Sequence, residues 1–227
     1  MLEIVLLCAG CHGMNGEGRP EAGYPRLAAQ PQSYLERQLV AYADGRRPSM
    51  VMTPLAKRLS PEERRQAAAH FAQRTTSESA KPQRYPARGE TLAVVGDNAL
   101  RVQACQNCHG PQGRGLPPYG PYLAGLHSAY LESEMRAWKT GERTSDPSGS
   151  MRVIAHNLGE ADIAAVSAYY AALPPPPPLR GEPLQAARRI TGPTAGGGGG
   201  NAEAGSGVGG GASTTGGSQG AGGSPPR

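Results

Sequence analysis

Bulky aromatic rings are scarce in this chain: its 227 residues hold one Phe and one Trp beside nine Tyr. A core built mainly on aromatic packing is excluded. Two domains of ~80 residues each would have marginal cores of their own and would need a metal, a disulfide or a cofactor. No run of 18 apolar residues is present, so no segment spans a membrane as a helix. A basic face interleaved with stacking aromatics is also missing. That excludes nucleic acid as a partner, although the formal charge is +5. The arginines are scattered along helical stretches and the tail, and are expected to form solvated surface. Strand-type alternation is absent as well, which leaves an all-α fold as the expectation.

What is abundant is Gly, with 33 residues, and Pro, with 22. Much of the Gly lies in one block from Gly192 to the end, which has almost no bulky apolar side chain. Such a segment cannot bury enough surface to offset its chain entropy, so residues 179–227 are expected to be a disordered tail. Five consecutive prolines, Pro174 to Pro178, come just before it. They favour a stiff polyproline II spacer that closes the folded part.

The four cysteines occur as two copies of one pattern, "CAGCHG" from Cys8 and "CQNCHG" from Cys105, separated by 97 residues. Downstream, "PRLAAQPQSYLERQLVAYADGRR" lies over "PYLAGLHSAYLESEMRAWKTGER" at an offset of 96. Tyr34 then falls on Tyr130, Leu35 on Leu131, Tyr42 on Trp138 and Gly45 on Gly141. After a short insertion Met52 meets Met151. The repeated unit is Cys-x-x-Cys-His, a Pro-led helix, Met and a final helix, which predicts domains at 1–80 and 81–178. Helical spacing of apolar residues marks Tyr34 to Asp44 and Ala129 to Lys139. Ser60, Pro61 and Glu63 supply an N-cap, a Pro at the first helical position and a capping box. The matching helix, Ala161 to Leu173, gathers Ile163, Val166, Tyr169, Tyr170 and Leu173 on one side.

Several chemistries use two cysteines at this spacing. A redox dithiol needs a parallel sheet, which this chain does not offer. A four-sulfur zinc site would leave both histidines and the matched methionines without a role. A disulfide within a two-residue gap is strained, and one between the motifs ignores the His. Covalent haem attachment uses every piece: two thiols add to the haem vinyl groups and the adjacent His becomes the proximal iron ligand. Two haem c groups are therefore expected, on Cys8, Cys11 and His12 and on Cys105, Cys108 and His109. Each porphyrin would also replace missing aromatic core.

Met52 and Met151 are the equivalent methionines of the two repeats and are expected to be the second axial ligands, with Met50 the runner-up in the first. Met14 and Met135 read as packing, and His70, His127 and His156 lack partners at matched positions. A six-coordinate His/Met iron has no open position for substrate, which favours outer-sphere electron transfer over catalysis.

These stretches, together with "MTPLAKRLS" and "MRVIAHNLGEADIAAVSAYYAAL", closely resemble class I c-type cytochromes, in particular the di-haem cytochrome c4 group. The resemblance covers nearly all of residues 1–173 and none of the tail. It implies two tandem cytochrome c domains related by an approximate two-fold axis. It also implies a periplasmic electron carrier, not an enzyme, working between a quinol-oxidising complex and a terminal oxidase. The alternative function is the haem-bearing subunit of a periplasmic dehydrogenase complex. A di-haem peroxidase would need an iron able to open a coordination position, and the resemblance argues against it. Such domains open with a helix of two or three turns before the cysteines. Only "MLEIVLL" precedes Cys8, so a secretory leader and most of that helix are expected upstream of the given start.

Overall fold

The computed structural model describes residues 2–75, 84–118 and 120–178. The expected domain boundary at residue 80 and the tail at 179–227 lie outside these. Each half is organised by three helices that follow the repeat. In the first, α2 (Gln32–Ala43), α3 (Met52–Arg58) and α4 (Pro61–Ala72) come after α1 (Leu2–His12). In the second, α7 (Ser128–Lys139), α8 (Ser150–Asn157) and α9 (Glu160–Ala172) come after α5 (Ala87–Val94) and the short α6 (Gln106–His109). Between α5 and α6 the strands β1 (Gly96–Asp97) and β2 (Val102–Gln103) pair antiparallel. At two residues each they are too short to alternate, so the sequence carries no strand pattern there.

Local signals account for the helix ends. Ser60 Oγ accepts from the Glu63 amide at 3.2 Å, and the Glu63 carboxylate accepts from the Ser60 amide at 2.7 Å. That capping box satisfies two donors which the first turn of α4 would otherwise leave bare. α2 and α7 both stop at a glycine with positive φ, Gly45 (84°) and Gly141 (78°), a conformation in which a Cβ would be strained. The matched prolines do not lead these helices. Pro25 and Pro121 lie well upstream of Gln32 and Ser128, and the residues just before the helices are Pro31 and His127.

Packing is tight where the first and last helices of the second half cross. Gly89 of α5 sits against α9 so tightly that a Cβ there would lie 2.1 Å from the Ala165 carbonyl oxygen. Around this crossing Leu92, Tyr122, Leu131, Leu158, Ile163, Val166, Tyr169 and Tyr170 form a continuous buried cluster. The corresponding cluster of the first half is thin: Leu35, Ala68 and Phe71, flanked by Cys8, Leu27, Tyr34 and Ala72. The proline run bears no helix or strand, and Pro175 packs on Gly125.

The two halves meet through polar groups. Tyr122 is fully buried, and its hydroxyl donates to the Ala28 carbonyl at 2.6 Å, while Gln30 Nε2 donates to the Tyr122 carbonyl at 3.0 Å. The Thr144 amide donates to the Arg46 carbonyl at 2.7 Å. Three arginines expected on the surface are instead buried: Arg26, Arg47 and Arg143. The latter two are tied into the seam. Arg47 donates to Gln38 Oε1 at 2.9 Å and pairs with Glu134; Arg143 donates to the same Gln38 oxygen at 2.8 Å and pairs with the other Glu134 oxygen. Each guanidinium also covers an aromatic face of its own half, Arg47 over Tyr42 at 4.6 Å and Arg143 over Trp138 at 3.8 Å. Planar guanidinium groups suit this double role of fork and stacking partner.

Candidate functional site

α1 runs without a break through the first motif, so Cys8 and Cys11 sit on successive turns and His12 closes the helix. In the second motif Cys105 precedes α6, and His109 ends it. Both histidines are buried. His12 Nδ1 lies 2.8 Å from the Pro25 carbonyl oxygen and His109 Nδ1 lies 2.9 Å from that of Pro121. A carbonyl only accepts, so Nδ1 carries the proton and Nε2 keeps the lone pair. Burial lowers the basicity of both rings, against a smaller opposite push from these hydrogen bonds. The result is a neutral imidazole with its tautomer fixed by an outer partner, the arrangement of a metal-binding His. Pro25 and Pro121 are thus the site residues that the sequence reading assigned to helix starts. Their recurrence at the 96-residue offset was the available signal.

Burial raises the Cys8 thiol above its ordinary range and pushes Cys105 up to about 11. A redox or metal-binding dithiol has the opposite bias. All four cysteines are free of disulfides. Among the described residues no three His, Cys, Asp or Glu side chains converge as a metal site, so the four-sulfur zinc alternative is not assembled.

In the first half, Cys8, Cys11, His12, Pro25 and Met52 all border one cavity of about 290 Å³, whose apolar wall includes Leu55, Leu59 and Phe71. Met52 begins α3 and is held there by its loop: its amide donates to Ser49 Oγ at 3.1 Å, and the Ser49 amide donates to Thr53 Oγ1 at 3.0 Å. Met50, by contrast, is 98% exposed. Met151 stands half-buried at the start of α8, where Asp146 accepts from the Arg152 amide at 3.2 Å. Met135 packs on the second core, as expected. Met14 does not; at the open mouth of a Gly-rich turn it is exposed. His70 accepts from Arg74, and His156 is exposed at the end of α8.

The lining also has polar members, Gln38, Tyr42 and Arg47 with Tyr130 and Glu134 of the other half. Arg47 is buried, yet its Nε has no hydrogen-bond partner; Trp138 Nε1, near the matched Arg143, is likewise buried without one. An unpaired buried donor is costly. The lining thus brings together two thiols, a neutral imidazole, a thioether and a buried guanidinium within a largely apolar wall. Haem, largely apolar with an iron and two carboxylates, is chemically suited to that set of groups. No helix among the described residues is long and apolar enough to cross a membrane.

The chain is also similar to known proteins. Residues 5–75 and 93–173 each match the family profile described as cytochrome c. Over 169 residues the chain is 41% identical to the thiosulfate dehydrogenase electron acceptor of Thiomonas intermedia (strain K12), an alignment spanning 72% of this chain and 77% of that protein. It is 36% identical over 165 residues to cytochrome c4 of Pseudomonas aeruginosa, spanning 72% and 82%. Among solved structures, reduced recombinant cytochrome c4 from Pseudomonas stutzeri superposes with a TM-score of 0.69 at 32% identity, covering 74% of this chain and 94% of that one. Thiosulfate dehydrogenase (TsdBA) from Marichromatium purpuratum also gives 0.69, at 36% identity, over 74% of this chain and 36% of that one.

Proposed function

Because the chain belongs to the cytochrome c family and is a di-haem electron carrier, we propose that it works in the periplasm as the electron acceptor of a thiosulfate dehydrogenase-type enzyme, delivering the electrons onward to a respiratory acceptor. Haem c supplies one-electron oxidation and reduction of its iron. The residues supply the rest. Cys8 and Cys11 would tether the first group, and Cys105 and Cys108 the second. His12 and Met52 would hold the iron of the first group, and His109 and Met151 that of the second. The Pro25 and Pro121 carbonyls accept from Nδ1 of His12 and His109, so each Nε2 keeps the lone pair it would offer to the iron, and they push the basicity of each ring up. Thioether ligation favours a higher potential than a second imidazole would.

The observation that carries this reading is the convergence of Cys8, Cys11, His12 and Met52 on one cavity, with the His tautomer fixed from outside. The choice of donor rests on similarity to the acceptor protein of Thiomonas intermedia. The cytochrome c4 relatives support a second reading, a carrier from a quinol-oxidising complex to a terminal oxidase. Rapid mixing of the oxidised holoprotein separates the two. We expect thiosulfate plus a thiosulfate dehydrogenase to reduce both haems within the enzyme's turnover time. Slow reduction by that pair, with fast reduction by a quinol-oxidising complex, would establish the second reading instead.

A further inference from the structure

The seam between the halves holds a closed ring of four side chains. Arg47 and Arg143 occupy matched positions, and so do Gln38 and Glu134, at the same 96-residue offset. Gln38 Oε1 accepts from both guanidinium groups, and the two oxygens of Glu134 accept one each. A symmetric ring would hold two carboxylates against two arginines. This one has an amide in place of the first carboxylate, so its side chains carry one more positive charge than the symmetric ring would, whatever carboxylate a bound haem adds. The site is nearly dry: Arg47, Arg143 and Gln38 are buried, and the Glu134 side chain is 18% exposed.

That charge is fixed. Guanidinium does not lose its proton in proteins. Burial alone would raise the Glu134 carboxyl, but the charges and hydrogen bonds of Arg47 and Arg143 outweigh it and hold Glu134 below the usual range. Gln38, Arg47 and Glu134 all line the cavity that contains His12 and Met52. Charges inside a protein act through a lower dielectric than charges in water, and salt screens them less. A positive charge at the cavity wall disfavours the ferric state, which carries one more positive charge than the ferrous state, and so raises the reduction potential.

The geometry points to the Gln38/Glu134 difference as a potential-setting device: by leaving the Arg47–Glu134–Arg143–Gln38 ring one positive charge in excess, it holds the first-half haem at a higher potential than a symmetric ring would. This rests on the haem reading above. Gln and Glu have the same shape, so the ring can be recharged with little change in packing. The test is a spectroelectrochemical titration of the full-length holoprotein, with haem content measured on the same samples. It compares the parent protein, Gln38→Glu, Glu134→Gln and the double exchange. The couple perturbed by Met52→Ala identifies the first-half haem.

Gln38→Glu is expected to lower that midpoint, Glu134→Gln to raise it, and the double exchange to return it close to the parent value. If Glu134→Gln fails to fold, Gln38→Glu against the parent decides alone. Unchanged midpoints in fully loaded protein, or shifts of the same sign in both single variants, would overturn the proposal and leave the ring as a structural clasp. Absence of covalent haem on both motifs in matured protein would overturn the haem reading, and this proposal with it.

Discussion

Two methionines two residues apart in the sequence, Met50 and Met52, have opposite environments. Met52 borders the cavity of the first motif, whereas Met50 is almost fully exposed. Met52→Ala is therefore expected to remove the far-red sulfur-to-iron(III) absorption of the first-half haem. Met50→Ala should leave that band intact. The visible spectra of the two oxidised holoproteins decide it, and loss of the band in the Met50 variant would reassign the ligand. At this scale the sequence was informative where residue type dictates chemistry. The repeat displays both Cys-x-x-Cys-His motifs and sets Met52 against Met151 as the expected iron ligands. Main-chain contributors could not be read from it: Pro25 and Pro121 act through carbonyls, which every residue possesses, and only position in space selects them. Arg47 and Arg143 were legible as a matched pair in "GRR" and "GER", but surface arginines repeat too. Their burial depends on Gln38 and Glu134, distant partners that no local pattern reveals.

Elements with strong periodicity or caps were readable. The expected span Ala129 to Lys139 lies within α7, and the Ser60 box begins α4. The short α3 and α8, which present the methionines, have too few turns for an apolar stripe to register. Close helix contact was equally silent, since a small residue looks the same in a loop as in a crossing. Gly89 gives a direct check. A methyl group there must displace the Ala165 carbonyl or tilt α5 against α9, so Gly89→Ala is expected to destabilise the protein by about 1–3 kcal/mol, the usual range for overpacking. Chemical denaturation of the holoprotein measures it. A helix-propensity gain with no loss of stability would mean that the crossing relaxes freely.

For the molecule as a whole, composition conveyed the shortage of core but not where the missing interior would be found. The first half is the thinner one, with three buried apolar residues clustered beside a cavity. Charge was misleading in bulk, because the net positive value says nothing about which cations are buried. The seam ring makes pH a lever on this scale. The Glu134 carboxyl is held below the ordinary value by Arg47 and Arg143. Its contribution to stability is thus fully present above the unfolded value of about 4.3, and is lost as pH falls through the lower folded value. Denaturation midpoints measured between neutral pH and strong acid should drop less steeply in Glu134→Gln than in the parent protein. Parallel curves would show that other carboxylates govern acid unfolding.

The enclosure around the first motif is completed by Leu126, Tyr130 and Glu134, all from beyond the second motif. Without the residues beyond the second motif, the earlier pocket lacks these three side chains. A fragment cut at the join would keep its tethering thiols and its imidazole but expose the porphyrin flank to water. The second module is in this sense the lid of the first.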